Sequence, residues 1–137
     1  LLAAGLDDRF NWSPDLSLGV ELFGLALILI GYVFGSWAFI ENAFFSGTVR
    51  LQPERGQTVI SSGPYSWVRH PGYLGSLIAS LGMPLLLDSL WAFIPVVIFG
   101  YFFVLRTHLE DLFLQENLDG YNKFAEKTRY RLFPGIW

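Results

Sequence analysis

The chain has 137 residues, of which 53% are hydrophobic, 18% aromatic and only 15% charged, with a net charge of −3. A soluble domain usually carries about 25% charged residues, so this chain is short of polar surface. There are no cysteines, which excludes disulfides, thiolate metal sites and a cysteine nucleophile.

The sequence opens at Leu1 without a basic n-region or a cleavage site, so no signal peptide is read. The missing initiator methionine reads as a fragment of a longer protein. Leu16 to Ile40 is apolar except for Glu21 and a few small polar residues. That length suffices for a transmembrane helix, which needs about 20 apolar residues. Arg50 and Arg55 follow in a loop, and Thr58-Val59-Ile60 is a short β-prone run ending in the turn Ser61-Ser62-Gly63-Pro64. Tyr73 to Leu105 is again apolar, but at about 1.5 Å per residue it is too long for one untilted crossing. Met83-Pro84 and Asp88-Ser89 interrupt it, so a helical hairpin is expected, with Gly72 to Leu87 as one leg and Leu90 to Leu105 as the other. The helix should continue from Arg106 to Leu118, break at Asp119-Gly120, and be followed by an amphipathic interfacial helix from Tyr121 to Tyr130. The expected fold is an all-α integral membrane protein. It is one domain over 1–137 with three spans over 16–40, 72–87 and 90–105, plus a loop and a C-terminal helix that form the site.

The basic residues give this arrangement a direction. Arg50, Arg55 and Arg69 precede the hairpin, and Arg106, Lys123, Lys127, Arg129 and Arg131 follow it, so one side receives eight of the nine. Lys and Arg concentrate on the cytoplasmic side of membrane proteins. The loop 41–71 and the tail 106–137 are therefore expected to meet at the cytoplasmic face.

The stretch Gly63-Pro64-Tyr65-Ser66-Trp67-Val68-Arg69-His70-Pro71-Gly72-Tyr73-Leu74-Gly75 sets polar chemistry at that boundary. Pro64 and Pro71 suit helix starts, which puts Arg69-His70 at a helix entrance whose unpaired N–H groups attract an anion. Gly72 and Gly75 let a ligand approach the backbone. Tyr65, Trp67 and Tyr73 suit either an interfacial aromatic belt or walls around an adenine ring or a sulfonium cation. His70 is either a helix cap or a proton-transfer group, and His108 reads as structural or exposed. Arg106 and Glu110 are four residues apart and share a helix face, whereas Asp111 points about 100° away. The bland reading is a positive-inside anchor followed by a solvated acidic turn. The sharper one is a site in which Glu110 binds an ammonium group and Arg106 a carboxylate or phosphate. Two histidines without metal-ligand spacing make no metal site, and Asn11-Trp12-Ser13 matches a glycosylation sequon too common by chance to carry weight. Neither a Gly-x-Gly-x-x-Gly nor a P-loop is present, which excludes a soluble nucleotide-binding fold, and no nucleic-acid partner is expected.

Taken together, Ser61-Ser62-Gly63-Pro64-Tyr65, Arg69-His70-Pro71-Gly72-Tyr73-Leu74-Gly75, Arg106-Thr107-His108-Leu109-Glu110-Asp111, Gly120-Tyr121 and the closing run Arg129 to Trp137 stand in a family's order. The chain resembles the isoprenylcysteine carboxyl methyltransferases, a branch of the membrane methyltransferases that includes the phospholipid N-methyltransferases. The resemblance implies S-adenosylmethionine bound at the cytoplasmic membrane face. By motif, Gln57, Thr58, Val59 and Ile60 would line the cofactor through backbone groups, Tyr65, His70, Pro71, Gly72 and Tyr73 would contact it, and Glu110 would hold its amino group. Arg106 would face the acceptor. The family often has two adjacent glutamates where this chain has Glu110-Asp111, so Asp111 is left out of the cofactor set. A lipid-like or prenylated acceptor entering from the bilayer would attack the sulfonium methyl directly, with Arg106 orienting a carboxylate or His70 serving as base for an amine. The competing readings are a phospholipid or small-lipid N-methyltransferase, an NADPH-dependent sterol-reductase-like enzyme, and a non-enzymatic membrane scaffold.

Overall fold

The apolar stretch from Leu16 to Ile40 folds as a single helix in a computed structural model, which describes residues 1–46 and 51–137; Arg50 and the Arg55 side chain lie outside the described residues. A short helix α1, Leu2–Phe10, precedes it, and α2 runs over Leu18–Glu41. At 24 residues, α2 is about 36 Å long, enough for a hydrocarbon core of about 30 Å. The hairpin legs are α3, Pro71–Leu86, and α4, Phe93–Asn117. Among the described residues, α2 and α4 are the two helices long and apolar enough to cross a membrane. α3 has only 16 residues, or about 24 Å, so the structure supplies two candidate spans where three were expected. Pro71 takes the first position of α3 as predicted, and the chain leaves it through Leu87 into Asp88, whose φ is 52°.

α4 extends past Arg106 without a break, as expected, and ends at Asn117. α5, Tyr121–Lys127, stops short of the predicted Tyr130. The tail backbone is used otherwise: the Arg69 and His70 N–H groups donate to the Tyr130 and Arg131 carbonyls at 2.9 and 3.0 Å. The β-prone Thr58-Val59-Ile60 forms no strand, and none occurs among the described residues. Short 3-10 turns at Pro53–Arg55 and Gly63–Ser66 complete the loop before α3.

α2 and α3 pack through glycines. A methyl group on Gly31 would lie 2.5 Å from the Ala79 N and the Gly75 O, and one on Gly75 would lie 2.6 Å from the Gly31 O. Such contacts cannot be made with a Cβ present, and close backbone approach is how apolar helices associate where lipid removes the hydrophobic driving force. α4 meets α3 through Leu77, Phe99 and Phe103, while Val33, Val97 and Tyr101 remain exposed on the outer faces of α2 and α4. Two buried hydrophobic clusters lie where the loop, α5 and the tail converge. One cluster joins Ala38, Tyr65, Tyr121 and Phe124; the other joins Val68, Leu74, Leu77 and Leu132. At the far end, Asp7 accepts hydrogen bonds from the Ser13 N–H (2.7 Å), the Ser13 hydroxyl (2.6 Å) and the Ser89 hydroxyl (2.5 Å). Nearby, Asp88 accepts the Leu16 N–H at 2.6 Å.

Candidate active site

Three segments distant in sequence meet at Asp111. Its side chain is fully buried on α4 and accepts from Arg69 Nη1 (2.9 Å), Arg131 Nε (2.8 Å), the Tyr121 hydroxyl (2.9 Å) and Gln115 Nε2 (2.7 Å). Two guanidinium groups in direct contact keep this carboxylate ionised, since an opposite charge within about 4 Å favours the charged form. The solvated-turn reading therefore fails for Asp111. Burial first, and then the charge and hydrogen bonding of Asp111, push the Tyr121 phenol up, so it stays a donor. His70 precedes α3 but makes no side-chain cap; its Nε2 lies 3.4 Å from Asp111 instead.

Asp111 holds the wall of a cavity that its neighbour Glu110 faces, because adjacent helical residues diverge by about 100°. Of the residues singled out from the sequence, Gln57, Thr58, Val59, Ile60, Tyr65, His70, Gly72, Tyr73 and Glu110 all line this cavity. Pro71 is buried as the first residue of α3 and does not line it. Gln57 also fastens its own loop, since its Oε1 accepts the Gln52 N–H at 2.7 Å, while Gln52 Nε2 donates to the Phe44 carbonyl at 2.8 Å. Sequence reasoning missed Asn42, Arg69 and Tyr121 as lining residues. The Arg-His pair and the Arg129-Tyr130-Arg131 run were visible as motifs, but nothing in them announced a shared buried carboxylate. Burial raises the Tyr65 phenol against the Asn42 hydrogen bond, and its oxygen accepts from Asn42 Nδ2 at 3.1 Å.

Arg106 stands just outside the cavity lining. Its guanidinium packs 5.5 Å from the centre of the Tyr73 ring, and its Nε donates to the Tyr73 oxygen at 2.8 Å. That phenol donates in turn to Glu110 Oε2 at 2.5 Å. The Tyr73 ring stacks on His70 and meets Phe103 edge-on. His108 is exposed and lies near Trp137. A second, larger hollow of about 430 Å³ runs between α2 and α3 to Phe99 of α4 and shares Phe45 and Gly72 with the cavity. No cluster of three His, Asp or Glu residues suited to a metal occurs among the described residues.

The cavity residues match the polar end of a cationic amino-acid cofactor. Glu110 could offer a carboxylate to an ammonium, and Arg69 is buried with its Nε lacking a hydrogen-bond partner among the described residues. Tyr65, Tyr121 and Phe124 supply aromatic faces. The cavity has a volume of about 90 Å³, and Thr58 in its lining is exposed.

An all-helical membrane-type fold with a carboxylate-bearing cavity at one end defines the class. More particularly, residues 20–119 match the phospholipid methyltransferase family model, and the chain belongs to that family. The protein-S-isoprenylcysteine O-methyltransferase of Saccharomyces cerevisiae is 36% identical over 128 residues, covering 93% of this chain and 52% of the yeast protein. That of Xenopus laevis is 32% identical over 91 residues, 64% of this chain and 30% of the frog protein. A solved structure of the eukaryotic intramembrane Ras methyltransferase, isoprenylcysteine carboxyl methyltransferase, superposes over 98% of this chain and 49% of its own with a TM-score of 0.77 at 20% identity, which establishes a shared fold. The chain thus spans about half the length of the yeast relative and of this structure.

Proposed function

We propose that this chain carries the catalytic region of an S-adenosylmethionine-dependent membrane methyltransferase that acts on a lipid-like acceptor, in the manner of an isoprenylcysteine carboxyl O-methyltransferase. The observation that carries the reading is Glu110, a carboxylate in the wall of an aromatic cavity, linked to Arg106 through one phenol. When bound, the cofactor would supply a methyl group activated by its sulfonium: an acceptor oxygen would bond to the methyl carbon as the carbon–sulfur bond breaks, and S-adenosylhomocysteine would leave. Glu110 holds the cofactor's ammonium, and Arg69 and the His70 entrance receive its carboxylate. The backbone of Gln57 to Ile60, with Tyr65, Gly72 and Tyr73, surrounds the rest, while Pro71 sets the start of α3. Arg106 draws the acceptor carboxylate toward the cavity, so catalysis rests on alignment and on the charges around the reacting methyl. The hollow between α2 and α3 receives the acceptor's apolar chain from the bilayer, with Phe45 and Gly72 at the junction.

On this reading α3 is a third, short crossing packed on α2, and the site faces the cytoplasm, where the basic residues gather. The phospholipid methyltransferase match favours one second reading, an amine acceptor, for which His70 is the candidate base.

Labelled methyl transfer separates these readings. Transfer from S-adenosylmethionine to N-acetyl-S-farnesylcysteine is expected, with Arg106→Ala sparing cofactor binding and removing transfer. Methylation of phosphatidylethanolamine instead would select the amine reading, and cofactor binding unaffected by Glu110→Ala would overturn the assignment of the site.

A further inference from the structure

The cofactor-binding carboxylate and the acceptor-binding guanidinium are joined by a single hydroxyl. Arg106 Nε donates to the Tyr73 oxygen at 2.8 Å, and the same hydroxyl donates to Glu110 Oε2 at 2.5 Å. The ring has little freedom to do otherwise: it stacks on His70 with centroids 5.8 Å apart, meets Phe103 at 5.3 Å, and lies under the Arg106 guanidinium. We propose that Tyr73 is a positioning residue that makes the two sites cooperative, so that the occupied cofactor site strengthens binding of an acceptor carboxylate. This inference rests on the roles proposed above for Glu110 and Arg106.

The sign follows from the polarisation of a hydrogen-bonded chain, in which each bond strengthens the next. With Glu110 bare, its negative charge draws the phenol proton, enriches the phenol oxygen and thereby engages Arg106 Nε. An ammonium on Glu110 shares that charge, weakens the pull on the phenol and loosens the hold of the phenol on Arg106. The guanidinium then presents more of its charge to an incoming carboxylate. An acceptor without a carboxylate gains nothing from this change. Because binding linkage is reciprocal, the acceptor must tighten the cofactor by the same factor.

The test is calorimetric binding in nanodiscs, with S-adenosylhomocysteine as an unreactive cofactor and N-acetyl-S-farnesylcysteine as the acceptor probe. In the parent, saturating S-adenosylhomocysteine should tighten the probe by at least about fivefold, within the usual range of coupling. The methyl ester of the same probe should show a factor near one. Tyr73→Phe keeps the ring and its stacking and should bring the carboxylate probe's factor close to one. Coupling retained in Tyr73→Phe overturns the inference, as does equal coupling of acid and ester in the parent. Should the variant fail to fold, the parent still overturns the inference if acid and ester couple equally or neither couples. If S-adenosylhomocysteine binds but the carboxylate probe does not bind the loaded protein, Tyr73 coupling is refuted while the cofactor assignment stands. Failure of S-adenosylhomocysteine to bind the parent removes the proposed function itself.

Discussion

At one end of the helices Asp7 is held by the hydroxyls of Ser13 and Ser89 and a backbone N–H; at the other, Asp111 is held by Arg69, Arg131, Tyr121 and Gln115. Both carboxylates are buried and each ties together segments remote in sequence, but their partners differ in charge. Neutral donors satisfy Asp7 completely and leave a closed knot between α1, the chain before α2 and the α3–α4 turn. Cationic donors around Asp111 do more than close a loop. They bring guanidinium groups beside a cavity, leave Arg69 Nε without a partner among the described residues, and turn the neighbouring Glu110 toward that cavity. The contrast shows how one residue type can act as a fastener at one end and as the anchor of a charged site at the other.

The comparison can be broken from either side. Asp111→Ala should have the largest effect, a loss of about 3–5 kcal/mol of stability, because it strands the buried Arg69 guanidinium and takes the partner from the half-buried Arg131; thermal or denaturant unfolding in micelles would measure it. Glu110→Ala should leave stability nearly intact and weaken S-adenosylmethionine by about 10- to 100-fold, the equivalent of one charged hydrogen bond of about 1.5–3 kcal/mol. Asp7→Asn should lower the unfolding midpoint by less than Asp111→Ala and leave cofactor affinity unchanged; a change in affinity would mean that the two ends communicate. The smallest effect is on acid stability. Burial opposes ionisation of Asp7, but the hydrogen bonds from Ser13 and Ser89 outweigh it and lower its pKa. A lowered carboxyl pKa contributes stability above the unfolded value of about 3.9 and loses it as pH falls through the folded one. Asp7→Asn should therefore flatten the decline in stability below about pH 4.

The features legible in the sequence were those with local causes. Apolar length marked α2, proline marked the start of α3, and the break at Asp119-Gly120 divided α4 from α5. What escaped depended on distant partners. The 9 residues of α1 carry no long apolar signal, and their only marker is an aspartate whose partner Ser89 is 82 residues away. The amphipathic pattern after Tyr121 ran on to Tyr130, yet Tyr130 and Arg131 lend their carbonyls to Arg69 and His70. Thr58-Val59-Ile60 had strand propensity and no strand to pair with, which is how tertiary context overrides a local preference. Nine of the residues carried by motif line one cavity, with Pro71 and Arg106 outside its lining, whereas Asp111 could not be ranked from sequence. Its importance arises from Arg69, 42 residues back, and Arg131, 20 residues ahead.

The central claim is that the cavity faced by Glu110 binds S-adenosylmethionine. Calorimetric titration of the purified protein with S-adenosylmethionine and, separately, with NADPH tests it most directly. Saturable binding of S-adenosylmethionine that Glu110→Ala weakens, with no binding of NADPH, is the predicted result. A well-folded protein that ignores S-adenosylmethionine, or that binds NADPH in its place, would contradict the account.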